Sequence, residues 1–131
     1  MADLPLTTIY EIIGEDGLTR LSTAFYQGVR DDALLRPMYP EGDLQASEQR
    51  LRAFLTFRFG GPPRYIQERG HPRLRMRHAP FPIDQAARDR WVMLMDQAIE
   101  QAAFTADVSA ALRAFFHEVA TFLINRQTVT S

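Results

Sequence analysis

Between Gly60 and Asp84 this chain cannot sustain regular structure for long, and that stretch constrains everything around it. Gly60-Gly61-Pro62-Pro63 ends the helix before it, because glycine leaves helical geometry cheaply and proline lacks the amide that would continue the ladder. Pro72, Pro80 and Pro82 interrupt the chain again. Held among them is Gly70-His71-Pro72-Arg73-Leu74-Arg75-Met76-Arg77-His78-Ala79-Pro80-Phe81, an arginine-dense segment. It is predicted to be partly irregular from Arg64 to Met76 and then to make a short helical turn before His78. A histidine there stands on stiff backbone, as a fixed metal ligand would.

On both sides of the segment the apolar residues recur at helical spacing, and no alternating run suggests paired strands. Thr8 and Glu11 have the spacing of a capping box for a short helix ending near Gly14. A second helix from about Asp16 puts Leu18, Leu21, Phe25 and Val29 on one face, with Tyr26 beside them, and breaks at Asp31-Asp32. Pro37 and Pro40 enforce a turn around Tyr39. A third, from about Asp43, carries Leu44, Ser47, Leu51, Phe54 and Leu55 on a single face. Asp84 can cap the next, with Trp91, Leu94, Met95 and Ala98 inward. The last helix, from roughly Asp107 to Asn125, has Val108, Leu112, Phe115, Val119 and Phe122 as its apolar side. The expected class is all-α, in one domain.

Composition removes several functions. The 131 residues contain no cysteine, which excludes disulfides, zinc–thiolate sites, iron–sulfur clusters and thiol catalysis. A formal charge of −1 provides no global field toward nucleic acid or an anionic membrane. No apolar run is long enough to span a bilayer, and Met1-Ala2-Asp3-Leu4-Pro5-Leu6 lacks the layout of a signal peptide. Neither nucleic acid nor a membrane is therefore an expected partner, and the cytoplasm is the default location. All 15 basic residues are arginine. Codon usage explains their total, so only their clustering carries information.

Three histidines are present. His117 reads as a partly exposed structural residue and His71 as a turn residue. His78 has no acidic or histidine neighbour at the spacing a zinc site requires. Haem is the setting in which one protein ligand suffices, since the porphyrin supplies four nitrogens. It also needs an apolar slot, donors over the open iron face and cations for its propionates. Leu51, Phe54 and Leu55 would line a slot. Tyr26 and Tyr39 offer hydroxyls and Trp91 an N–H donor. Arg69, Arg73, Arg75 and Arg77 lie close in sequence to the candidate ligand. Taken singly, the tyrosines read more readily as a core edge and the arginines as a solvated face or a weak anion patch.

The run Gly60-Gly61-Pro62, Tyr65, Arg69 through Phe81, Arg88-Asp89 and Trp91 resembles the group II truncated haemoglobins, the small two-over-two globins of bacteria and plants. The flanking helices agree from Ile9 to about Arg126. The resemblance implies a single domain over residues 1–131, with a haem-binding core at about 8–126. In that fold two antiparallel helix pairs sandwich one haem, as haem b. Carried over residue by residue, it makes His78 the proximal iron ligand and Tyr26 the distal tyrosine. Tyr39 takes the corner position over the haem, Ser47 the distal gate, Leu51 the apolar position one turn on with Phe54 behind it, and Trp91 the group's marker tryptophan. Tyr65 and Arg77 fall where propionates are steadied. The family's paired glycines after its first helix appear here as Gly14-Glu15, with another at Gly17, and Ser47 lacks the reach of a distal histidine. Ligand hydrogen bonding then falls to Tyr26, Tyr39 and Trp91.

What this implies is a five-coordinate iron that binds O2, CO or NO. Two or three donors in a dry pocket would retain O2 tightly, which suits NO dioxygenation or peroxidase-like turnover on peroxide. An enzymatic role needs a reductase as partner. The alternatives are an O2 store, carrier or sensor without turnover, and a haem-free helical adaptor whose arginines dock an acidic partner. Apolar positions on the last two helices could also build a homodimer.

Overall fold

The three- and four-residue apolar spacing forms helices throughout the computed structural model, which describes residues 4–39, 44–63, 70, 73–79 and 82–125. Pro40, Tyr65, Arg69, His71, Pro72, Pro80 and Phe81, and the Arg75 side chain, lie outside the described residues. The helices are α1 (Ile9–Arg30), α2 (Gln45–Arg58), α3 (Leu74–His78), α4 (Gln85–Ala102) and α5 (Ala106–Phe122). Short 3-10 turns precede α1 at Leu6–Thr8 and α2 at Arg36–Met38. Among the described residues there is no strand, as expected.

Helix α1 packs on both α2 and α4, and α4 packs on α5. The short link from Ala102 to Ala106 makes α4 and α5 an antiparallel hairpin. The core that the helices share is aliphatic at Leu18, Leu21, Ile99 and Leu112 and aromatic at Phe25, Phe59 and Phe116, all of them buried. Phe59 lies 5.3 Å from Phe115, and Phe116 lies 5.7 Å from Trp91.

The expected break at Gly14 is a kink. Gly14 adopts φ 66°, ψ −176° inside α1, splitting it where sequence spacing divides two helices. Gly60, at φ 94°, does a different job. A Cβ there would lie 2.0 Å from the carbonyl oxygen of Thr7, so only glycine lets the end of α2 approach the 3-10 turn. The Tyr10 amide then donates to the Phe59 carbonyl at 3.0 Å.

That docking overturns the expected capping box. Thr8 has φ −99°, ψ −8°, so its side chain does not cap α1. Instead its hydroxyl donates back to the Pro5 carbonyl at 2.7 Å. A capping hydroxyl reaches the first free amides from extended backbone, which Thr8 does not have. Asp84 has it, at φ −107°, ψ −174°, and accepts from the Ala87 amide at 2.9 Å as expected. The apolar face of α5 also departs from expectation at its end. Phe116 and Ala120 are buried, whereas Phe122 is 54 % exposed because the last turn runs past the core.

Candidate functional site

Consecutive residues on a helix point about 100° apart, and α1 uses this to divide Phe25 from Tyr26. Phe25 turns into the core, its ring 5.0 Å from Trp91. Tyr26 faces the other way and stands edge-on to Tyr39, with centroids 5.7 Å apart. The Tyr26 hydroxyl donates to the Ser47 carbonyl at 3.3 Å. α1 thereby reaches α2 at the residue expected to act as a gate.

Ser47 is buried, and its hydroxyl accepts from Arg50 Nη2 at 3.0 Å. Sequence reasoning missed Arg50, for which its place one turn along the same helix is the available signal. Ser47 thus contributes a carbonyl to Tyr26, and its short side chain is occupied by an arginine.

Tyr39 arrives on the 3-10 turn, where Pro37 fixes the backbone and Arg36 Nη1 donates to the Tyr39 carbonyl at 2.8 Å. Burial raises the Tyr39 phenol above its ordinary range, while hydrogen bonding from Trp91 and Tyr26 acts to lower it. Tyr26 is also raised, first by burial and then by the neighbouring Tyr39. Both phenols are therefore neutral at physiological pH. Tyr26, Tyr39 and Trp91, from three different elements, are thus brought together.

On the far side of α2's stripe, Leu51 and Phe54 pack against the core yet remain only partly buried. Ser47 and Leu55, which flank them on that face, are buried. The middle of α2 thus presents an apolar seat open to one side. Two surface grooves lie elsewhere. One, of about 320 Å³, is lined by Thr19, Gln27 and Gln101, and the other, of about 210 Å³, by Tyr10, Gln49 and Thr56.

His78 ends α3, whose first residue follows Arg73 in the left-handed region at φ 44°, ψ 53°. Its Nδ1 lies 2.8 Å from the Leu74 carbonyl. A carbonyl only accepts, so Nδ1 carries the proton, and in the neutral ring Nε2 carries the lone pair. Arg77, the neighbouring residue, is partly buried. Asn125, beyond the end of α5, donates from Nδ2 to the His78 carbonyl at 3.2 Å and accepts from the Ile83 amide at 2.9 Å. Nothing in local spacing points to Asn125, because its contact is long-range. Among the described residues, no group of three or more His, Asp or Glu could hold a metal ion.

Residues 8–125 match the family described as bacterial-like globin. The chain is a bacterial-like globin. It is 37% identical over 117 residues to the group 2 truncated hemoglobin YjbI of Bacillus subtilis, covering 89% of this chain and 88% of that protein. The globin also superposes on the thermostable hemoglobin of Thermobifida fusca with TM-score 0.87 and 46% identity, over 89% of this chain and 96% of that one. The truncated oxygen-avid haemoglobin of Bacillus subtilis superposes with TM-score 0.85 and 36% identity, over 89% and 98%. The helices of this globin accordingly have the two-over-two arrangement of the group II truncated haemoglobins.

Globins bind haem, and the residues present suit it. A seat of half-buried apolar side chains on α2 matches a flat apolar macrocycle. An imidazole with Nδ1–H held by a carbonyl has the tautomer of a histidine ligand.

Proposed function

We propose that this globin binds haem b through Nε2 of His78 and holds O2 tightly beneath Tyr26, Tyr39 and Trp91. In the same reading Ser47, Leu51 and Phe54 line the haem, and Arg77 with Tyr65 steadies its propionates. Tyr65 rests on the family resemblance alone. When bound, haem supplies a ferrous iron with one position open to O2, CO or NO.

The observation that carries the reading is the gathering of three polar-tipped aromatic side chains at one place, with Tyr26 edge-on to Tyr39 at 5.7 Å and Trp91 acting on the Tyr39 phenol. These donors are already placed and partly desolvated, so they need little rearrangement to stabilise negative charge gathering on a diatomic ligand. A hydrogen bond contributes about 0.5–1.5 kcal/mol net, and more toward a charged acceptor. Two or three together slow ligand release by about one to three orders of magnitude. A relative described as oxygen-avid, 36% identical, points the same way.

Such retention suits chemistry on the ligand better than delivery. The reading therefore extends to NO dioxygenation or peroxidase-like turnover in the cytoplasm, with a reductase restoring ferrous iron. Half-exposed Met93 and Phe122, on α4 and α5, offer apolar surface to a homodimer. The test is the O2 dissociation rate by stopped flow, followed by nitrate formation from NO. Slow release with stoichiometric nitrate is expected. Fast release with no turnover would leave a store or carrier.

A further inference from the structure

One carboxylate outside the ligand-facing cluster is held more completely than its position in a surface turn requires. Asp32 follows the end of α1 and is 3 % exposed. Its Oδ1 accepts from the amides of Leu34 and Leu35 at 3.0 and 2.9 Å. Its backbone carbonyl accepts from the Arg36 amide at 2.9 Å. Its Oδ2 accepts from Nε of Arg90, on α4. Burial pushes the Asp32 carboxyl up, but the bonds from Leu35, Arg90 and Leu34 outweigh it and hold the group below the usual carboxylate range.

The two oxygens thus serve different ends. Oδ1 winds the turn that leads into Arg36–Met38 and delivers Tyr39. Oδ2 ties that turn to the residue immediately before Trp91. Residues 32–39 and residues 90–91 are therefore tied at one end by Asp32 to Arg90, while at the other end Trp91 acts on the Tyr39 phenol. The ion pair is lopsided, with side-chain exposures of 45% for Arg90 and 1% for Asp32. Arg90 reaches inward from the surface, and its Nη1 also approaches Met93 Sδ at 3.9 Å.

We infer that Asp32 and Arg90 are positioning residues, a clamp that sets the register between the Tyr39 turn and Trp91 and so aims both donors at the ligand. The inference rests on the proposed reading that Tyr39 and Trp91 face that ligand. A buried carboxylate demands a partner, and satisfying it from α4 leaves the turn one docking position. A turn capped by Oδ1 alone would fold but could slide along α4.

Asp32→Asn separates these roles, since the amide oxygen still accepts from Leu34 and Leu35 while the charge facing Arg90 is gone. Arg90→Met breaks the pair from the other side and keeps most of the stem. On haem-loaded protein the readouts are the C–O stretching band of the CO complex, the O2 dissociation rate and Tm. Each variant is expected to shift or split the C–O band and to speed O2 release about three- to tenfold, the value of roughly one hydrogen bond. The double variant should exceed the larger single effect little, because both changes break one contact. If Arg90→Met fails to fold around its stranded carboxylate, Asp32→Asn decides the matter alone. A lowered Tm with an unmoved band and rate would overturn the clamp and leave a structural ion pair. Tyr39→Phe and Trp91→Phe run alongside. If those two leave band and rate unmoved, it is the underlying reading of the site that fails.

Discussion

The Asn125 side chain reaches back across forty-seven residues to the carbonyl of His78. Its Oδ1 also accepts from the Ile83 amide, and its own amide donates to the Ile83 carbonyl at 2.8 Å. The end of α5 therefore holds both sides of the proline-flanked segment after His78. Asn125→Ala removes the two side-chain bonds and keeps the backbone one. The expected loss is about 1–3 kcal/mol of stability. In resonance Raman spectra of the ferrous protein the iron–histidine band should broaden as the ring samples more orientations. An unchanged band would confine Asn125 to a role in stability.

His78→Gly should abolish the Soret band of the purified protein, and added imidazole should restore it. The expectation follows from the Nδ1 proton facing the Leu74 carbonyl, which leaves Nε2 as the ligating atom. Haem retained without imidazole would mean that another residue ligates.

Trp91→Phe keeps an aromatic ring toward Phe25 and Phe116 and deletes the N–H together with part of the indole. O2 dissociation should accelerate about tenfold, the loss of one hydrogen bond to a charged acceptor. Tyr26→Phe should have a comparable effect and also free the Ser47 carbonyl to which Tyr26 donates. Stopped-flow traces on the two variants and their combination give the individual and coupled effects.

What is legible in the sequence is whatever depends on local spacing. The helical faces, the Gly14 break, the Asp84 cap and the turn at Tyr39 follow from periodicity, proline and short polar side chains, and each is present. The Thr8 cap fails because a tertiary contact, the Tyr10 amide on the Phe59 carbonyl, decides that helix start instead. Phe122 fails because periodicity says which face is apolar but not where the neighbouring helix stops. The site residues are named largely by resemblance. Apart from Arg50, one turn from Ser47 on the same helix, their supporting groups (Asp32, Arg36, Arg90 and Asn125) are polar residues whose partners lie far off in sequence or on a turn. A polar side chain carries no periodic signal of its partner, so only the fold reveals them.

Gly14 and Gly60 both have positive φ, yet alanine should affect them unequally. At Gly14 nothing lies within 4 Å of where a Cβ would stand, so Gly14→Ala meets only backbone strain of about 1–3 kcal/mol. At Gly60 the same strain adds to overlap with the Thr7 carbonyl at 2.0 Å, which must move the 3-10 turn off α2. Gly60→Ala should therefore cost at least about 1–3 kcal/mol more. Thermal melts of the two variants side by side should show Gly60→Ala several degrees lower, and equal melting temperatures would contradict the close approach.

The raised phenols of Tyr26 and Tyr39 set the alkaline limit. An unfolded chain loses phenolic protons near pH 10, whereas burial keeps both groups protonated above that value in the folded protein. Above about pH 10 the folded state then binds more protons than the unfolded one, so stability falls as pH rises. Below about pH 9 neither phenol ionises in either state, and neither contributes a slope. O2 release should accordingly show no pH dependence from these two donors between about pH 6 and about pH 9. Unfolding in denaturant, followed by circular dichroism at pH 8 and again above pH 10, tests the stability side. Tyr39→Phe and Tyr26→Phe should each flatten the alkaline loss, since the group responsible is gone. A wild-type loss that persists undiminished in both variants would mean that the phenols are not what titrates.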